Sequence, residues 1–309
     1  MQPGTPEPKG KLDAMTGYSF TTPVWDGSAW VRPAVTEVRA TTARIANGPE
    51  DQPRSAPAQW EKINWRAQEE QVRRLRQRIF KASQEQDWPK VRNLQKLMLR
   101  SRANTLVSVR QVTQRNSGRS TAGIDGEVAL TSQARMAVAV RVHQSIGSWQ
   151  PVPVRRVYIP KASNRAKLRP LGIPVIMDRC HQQRVRSALE PEWEARFEPR
   201  SYGFRPGRGC HDAISAIYNV CKGPRPARTW ALDADLAAAF DKIDHSFLLG
   251  QLGAFPARDM IAGWLKAGVF EAGKGFAPTG EGTPQGGLCS AEHNDPCGAP
   301  SSLSDHVPS

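Results

Sequence analysis

TWALDADLAAAFDKIDH, residues 229–245, gathers four carboxylates, Asp233, Asp235, Asp241 and Asp244, among apolar residues. Period two along TWALDAD predicts a β-strand that places Asp233 and Asp235 on one face with Ala231. Neighbouring carboxylates repel, so a partly buried pair needs a proton, an Arg or a metal. Ion pairing with a surface Lys or Arg is one answer. The sharper one is Mg²⁺, which takes a few carboxylate oxygens and completes its shell with water and substrate phosphates. Two such ions can activate a sugar hydroxyl and stabilise a leaving pyrophosphate in nucleotidyl transfer. Asp241 and Asp244, in DKIDHSF, read as caps at a helix start.

That chemistry suits the remainder of the chain. Its 309 residues carry 43 Lys and Arg against 29 Asp and Glu, a net charge of +14 and a pI near 10.0. A polyanion is the expected partner and nucleic acid the first candidate. A hydrophobic content of 39%, with nine Trp and nine Phe, can fill one large or two ordinary domains. No apolar run long enough to span a bilayer occurs, and no signal peptide opens the chain, so a cytoplasmic protein without a membrane partner is expected. Five cysteines, an odd number, read as reduced thiols rather than a disulfide framework. Cys289, His293 and Cys297 fall four apart, but the surrounding SAEHNDPCGAPSS is turn-rich and offers no fourth ligand, so zinc is not expected there.

Residues 1–57 are rich in Pro, Thr, Ala and Gly without sustained periodicity and read as a flexible leader. Helical spacing then runs through Trp60, Ile63, Ala67, Val72, Leu75, Ile79 and Ala82, and begins again at Val91, Leu94, Leu97 and Met98 after Asp87-Trp88-Pro89. A helical hairpin is predicted. Residues 54–119 hold 16 Lys and Arg against five acids, and faces built only for solvation mix signs more evenly. Arg73, Arg74, Arg76 and Arg78 are the candidate phosphate contacts. RNSGRSTAGIDGE, 115–127, is a polar loop.

VPVRRVYIP and KLRPLGIP predict two strands joined around Asn164, with six cations and no acid between 151 and 177. Such a ribbon can follow a phosphate backbone, fold over a triphosphate, or simply be a charge-protected hairpin. Residues 178–198 predict a helix broken at Pro191. In SYGFRPGRG, Arg205 and Arg208 beside Tyr202 and Phe204 suit single-stranded nucleic acid, or equally an aromatic turn packed on its own core. Ala213, Ile214, Ile217, Tyr218 and Val220 mark a further helix, stopped by GPRP at 223–226.

Four blocks in order carry a resemblance: RVYIPKASNRAKLRPLGIP, DRCHQQRVRSALEPEWEARFEPRSYGFRPGRG, ALDADLAAAFDKIDH and WLKAGVFEAGKGFAPTGEGTPQGG. The chain resembles group II intron reverse transcriptase-maturases from about Trp60 to Gly287. The resemblance implies an α+β right-hand polymerase: leader 1–57, helical RNA-binding region 58–127, fingers 128–228, partial palm 229–287 and a divergent, disordered tail 288–309. It implies Asp235 as catalytic Mg²⁺ ligand with the Leu236 carbonyl assisting. Phe240 becomes the ring beneath the incoming sugar, although a core Phe is the alternative on composition alone. Lys161 and Arg169 become triphosphate ligands and Gln285 a contact to the nucleotide. Intron and template RNA and a DNA primer are the implied partners.

The sequence departs from the family in two places. GTPQGG is followed by LCSAEHNDPCGAPSSLSDHVPS, and no Asp-Asp pair occurs in the 309 residues, where the family carries Tyr-x-Asp-Asp. Ala237, Ala238 and Ala239 also replace the family's lysine and glycine after the metal-binding Asp. The expectation is a C-terminally truncated RNA-directed DNA polymerase without polymerase activity, with exposed apolar surface in its unfinished palm. The alternatives are a noncatalytic RNA-binding protein and one half of a split enzyme completed by a palm-bearing chain.

Overall fold

The computed structural model describes residues 56–160, 166–222, 229–230, 232–234 and 239–283, with the backbone of 24–25 and 30–31. Two units are distinct, Met1–Glu50 and Asp51–Ser309. The first contains a short antiparallel pair, β1 (Val24–Trp25) and β2 (Trp30–Val31), with Trp25 opposite Trp30. Strands of two residues are too short to leave an alternation in sequence, so the reading as a leader passed over them.

The second unit begins with α1 (Ala56–Glu61) and the predicted hairpin, α2 (Trp65–Gln84) and α3 (Trp88–Arg100). Local chemistry sets these bounds. Asn64 caps α2 by accepting from the Ala67 amide at 3.1 Å, and Asp87 caps α3 by accepting from Lys90 at 3.1 Å, with Pro89 in the first turn where no amide proton is needed. Next come α4 (Arg102–Arg110), capped by Ser101, a π-helical turn (Gln111–Arg115), a 3₁₀ turn (Ser117–Ser120) and α5 (Ser132–Gln144).

The basic ribbon forms as predicted: β3 (Val154–Pro160) pairs antiparallel with β4 (Leu168–Ile173), Arg155 opposite Ile173 and Ile159 opposite Arg169. Its connecting turn lies outside the described residues. After α6 (Ile176–Glu194), α7 (Cys210–Cys221), α8 (His245–Leu252) and α9 (Arg258–Lys266), the chain adds β5 (Val269–Glu271) parallel to β3 and β6 (Gly275–Ala277) antiparallel to β5. The sheet order is β4-β3-β5-β6. Its mixed directions make the unit α+β.

Two apolar clusters flank α6. One packs Val72, Ile79, Met98 and Val185 with Leu252, Phe255 and Trp264; the other packs Trp60, Leu106, Val112 and Val142 with Ile176 and Cys180. Because α6 is covered on nearly every side, its polar groups must find partners inside. Arg179 donates to the carbonyls of Pro174, Gly118 and Thr121, and so holds the loop after the π-turn. Arg184 donates to the Val142 and Leu99 carbonyls and to His181 Nδ1, so His181 Nε2 carries the proton toward Ser145 Oγ at 3.1 Å. Burial, then the Arg184 charge, pushes His181 down to about 3 and keeps the imidazole neutral. Burial also drives the Cys180 thiol up to about 12, which makes it an inert core residue.

Two sequence expectations are corrected. First, α6 is not broken at Pro191: it continues to Glu194, and Pro191 is buried in its last turn. The ring removes only the hydrogen bond to the Ser187 carbonyl, and the turn beyond it still closes, the Ala195 amide donating to the Pro191 carbonyl at 3.3 Å. Second, Trp230, Leu232, Asp233 and Ala234 do not form a strand; Trp230 and Leu232 are 94% and 93% exposed. A strand needs a neighbour for its amides and carbonyls, and the four-stranded sheet offers this segment none. The apolar stripe of α7 is uncovered too, with Ile214, Ile217 and Tyr218 exposed. Among the described residues no helix is long and apolar enough to cross a membrane.

Candidate nucleotide and RNA-binding surfaces

The ribbon and the segment following β6 enclose a cleft of about 450 Å³ lined by Arg156, Pro170, Gly172, Asp241 and residues 278–283. Arg156 pairs with Gly172 across the ribbon, so both lie on the cleft face. Opposite them, Gly282 and Thr283 are clasped to the Phe240–His245 turn. The Thr283 amide donates to Phe240 O at 2.7 Å and the Gly282 amide to Ile243 O at 2.9 Å. His245 is buried, and its Nε2 donates to Gly282 O at 2.7 Å. The clasp brings the start of GTPQGG beside Phe240, whose ring is 37% exposed.

Gly282 is required by this geometry. Its φ is +75°, and a Cβ there would stand 2.6 Å from the Asp241 carbonyl oxygen. Gly282→Ala is expected to cost about 1–3 kcal/mol and open the clasp. Faster hydrogen exchange at the Gly282-neighbouring amides would register the opening; unchanged protection would show that the turn absorbs the methyl group.

The sequence-predicted nucleotide ligands are divided by the structure. Strand alternation turns Arg169 away from Pro170 and Gly172, so it lies exposed on the ribbon face opposite the cleft. Lys161, Asp235, Leu236 and Gln285 lie outside the described residues. Of the remaining acids in the opening stretch, Asp233 is exposed, Asp244 caps α8 by accepting from Phe247 N at 2.6 Å, and Asp241 borders the cleft without capping. Among the described residues no group of three metal-ligating side chains assembles.

The candidate RNA contacts separate by what each guanidinium already holds. Arg73 and Arg74 are exposed and share Glu70 at 2.7 and 2.8 Å, and their hydrogen bonds hold its carboxyl down to about 2. Arg78 is exposed on the same helix. Arg76 instead turns to Glu190 on α6 at 2.6 Å and joins the hairpin to that helix. Arg205 is also a correction. It is buried, paired with Glu194 at 2.7 Å and donating to the Glu198 and Ser201 carbonyls, so it braces the SYGFRPGRG turn instead of meeting RNA. Arg208 lies over the Tyr202 ring and donates to the Pro199 and Ser201 carbonyls. The turn thus holds both arginines on its own carbonyls while Phe204 stays exposed.

One residue that sequence reasoning passed over organises this region. Asp178, buried at the start of α6, accepts from Trp149 Nε1 at 2.7 Å, Trp264 Nε1 at 2.8 Å and Val152 N at 3.3 Å. It ties the entry to the basic ribbon to α9. Nothing in the spacing around DRC signals that role, because both tryptophans are distant in sequence.

Residues 60–142 match the N-terminal domain of reverse transcriptase, and residues 159–292 match reverse transcriptase (RNA-dependent DNA polymerase). The chain belongs to the reverse transcriptase family. It is 37% identical over 210 residues to Protein YkfC of Escherichia coli (strain K12), covering 65% of this chain and 54% of that protein. Group II intron-encoded protein LtrA of Lactococcus lactis subsp. cremoris is 39% identical over 180 residues, 57% of this chain and 29% of LtrA. Maturase-like protein 1 of Euglena gracilis is 27% identical over 180 residues, 58% of this chain and 39% of that protein. The chain thus spans about half the length of YkfC and under a third of LtrA. The match to the N-terminal domain contains α2 and α3, and the match to the polymerase domain contains β4 and the 278–283 side of the cleft.

Proposed function

We propose that this reverse transcriptase chain, of the group II intron maturase type, binds structured RNA through its N-terminal helices and, as 309 residues alone, does not polymerise DNA. Charge placement carries the reading. Sixteen Lys and Arg against five acids fall in residues 54–119, and Arg73, Arg74 and Arg78 stand exposed along one helix. Such a surface gains affinity by releasing counterions from a phosphate backbone. Polymerisation needs two Mg²⁺ ions held by more carboxylates than Asp235 supplies, and these residues contain no Asp-Asp pair.

Equilibrium binding to a structured intron RNA across a salt series tests this. Affinity should fall steeply with salt. Changing Arg73, Arg74 and Arg78 together to Gln should weaken binding at every RNA sequence and make the log–log slope shallower by roughly 2–3. Arg76→Gln should lower stability rather than affinity. Equal binding by the triple variant would overturn the proposal.

A second reading, half of a split enzyme, is favoured by the uncovered Ile214, Ile217, Tyr218, Trp230 and Leu232. It requires a copurifying chain that carries Tyr-x-Asp-Asp; a chain that purifies alone from its native cell would refute it.

A further inference from the structure

We propose that the π-helical turn Gln111–Arg115 builds a phosphodiester-binding site in which Glu69 presents Arg110 and Arg115 side by side to RNA. The proposal rests on the RNA-binding reading above and adds to it a defined site with specific geometry.

The backbone is the first observation. The Asn116 amide donates to the Gln111 carbonyl at 2.9 Å, five residues back, and Thr113 Oγ1 donates to the Val109 carbonyl at 2.7 Å. In an α-helix, residues five apart stand about 140° out of phase. The wider turn brings Arg110 and Arg115 toward one side, and both reach the same oxygen: Arg110 Nη1 lies 3.1 Å and Arg115 Nη2 2.6 Å from Glu69 Oε1. Wide turns of this kind are uncommon and concentrate at functional sites.

The second observation is the charge balance. Arg110 is fixed from behind by the Trp65 ring, 4.4 Å from its centroid, and its buried Nε has no partner. Burial and the nearby Arg115 charge both lower the Arg110 pKa, as crowded cations do. Each of two neighbouring glutamates is shared by two arginines: Glu69 by Arg110 and Arg115, Glu70 by Arg73 and Arg74. With Arg66, which lines the adjoining open cleft of about 670 Å³, five guanidiniums face two carboxylates. A self-sufficient ion-pair network would match its charges. This one leaves three cations uncompensated, in a fixed array.

The chemistry selects the ligand. A planar guanidinium offers paired N–H donors that match two oxygens of one phosphate, which a lysine ammonium cannot do. An open, multi-arginine surface suits successive phosphates of a backbone better than one enclosed anion.

Charge-conserving variants of the full 309-residue chain separate a built site from diffuse attraction. Binding of a structured RNA is measured at fixed salt for Arg110→Lys, Arg115→Lys and the control Arg200→Lys, an exposed arginine outside the N-terminal helices. The site predicts about tenfold weaker binding for either of the first two and no change for the control. If Arg110→Lys loses its thermal transition, the exposed Arg115→Lys alone carries the test. Inorganic phosphate at matched ionic strength should displace RNA no better than chloride; selective displacement would mark a small-anion site and overturn the assignment to RNA. Equal binding by all three variants would overturn the site while leaving RNA binding intact. Absence of RNA binding by the unsubstituted chain would overturn both.

Discussion

Glu192→Ala is expected to lower the unfolding free energy by about 3–5 kcal/mol, because it strands buried partners of a charge network. Glu192 is 3% exposed and accepts from Arg92 Nη1 at 2.7 Å, Arg92 Nη2 at 3.1 Å and Gln95 Nε2 at 2.7 Å, with Arg196 at 3.6 Å. Its own carbonyl accepts from Ser83 Oγ at 3.2 Å. This array joins α2, α3 and α6, the elements that set the basic hairpin against the ribbon. Removing the carboxylate leaves Arg92 Nη2, on a largely buried side chain, without its acceptor, and leaves the fully buried Gln95 Nε2 only the Ala188 carbonyl at 3.3 Å. Urea titration of the variant should show the midpoint falling well below that of the parent. The exposed Glu70, although it also binds two arginines, should give no measurable change when replaced by Ala. A similar small effect at Glu192 would mean that the network relaxes to water.

The second large effect is a pH dependence centred on Asp178. Burial pushes its carboxyl up to about 6 from 3.8, against the pull of the Trp149, Trp264 and Val152 donors, and nearby Asp125 raises it further. The folded state therefore holds the proton more tightly than the unfolded chain. The stabilisation is fully present below about pH 3.8 and is lost as pH rises through about 6, amounting to about 3 kcal/mol. Asp178→Asn cannot titrate. The stability difference between parent and variant should thus move in favour of the parent as pH falls from 7 to 4, beginning near pH 6 and reaching half its size at about pH 5, midway between the folded and unfolded pKa values. A flat difference would show that the three donors offset the burial.

Much of the fold was legible because it is local. The spacing of Val72, Ile79, Val91, Leu94 and Met98, with Asp87 and Pro89 between, defines the hairpin through periodicity and capping alone. The ribbon was equally readable from alternation and charge. What escaped depends on distant partners. TWALDAD has a strand's alternation, but alternation gives only compatibility, and among the described residues no strand pairs with 229–230 or 232–234. The aromatic and cationic SYGFRPGRG resembled a nucleic-acid surface, yet Glu194 lies within reach and draws Arg205 inward. The Asp178 junction needs tryptophans from two other segments, and the π-turn leaves no compositional trace. Of the candidate nucleotide site, the sequence pointed to Phe240 and GTPQGG; the His245 and Gly282 clasp that joins them emerges only in three dimensions.

The most direct test is Mg²⁺-dependent primer extension on an RNA template by the 309-residue chain and by Asp235→Asn, with RNA binding measured on the same preparations. The account predicts that both proteins bind RNA with the same salt sensitivity and that neither extends the primer. Extension by the parent chain that disappears in Asp235→Asn would contradict it.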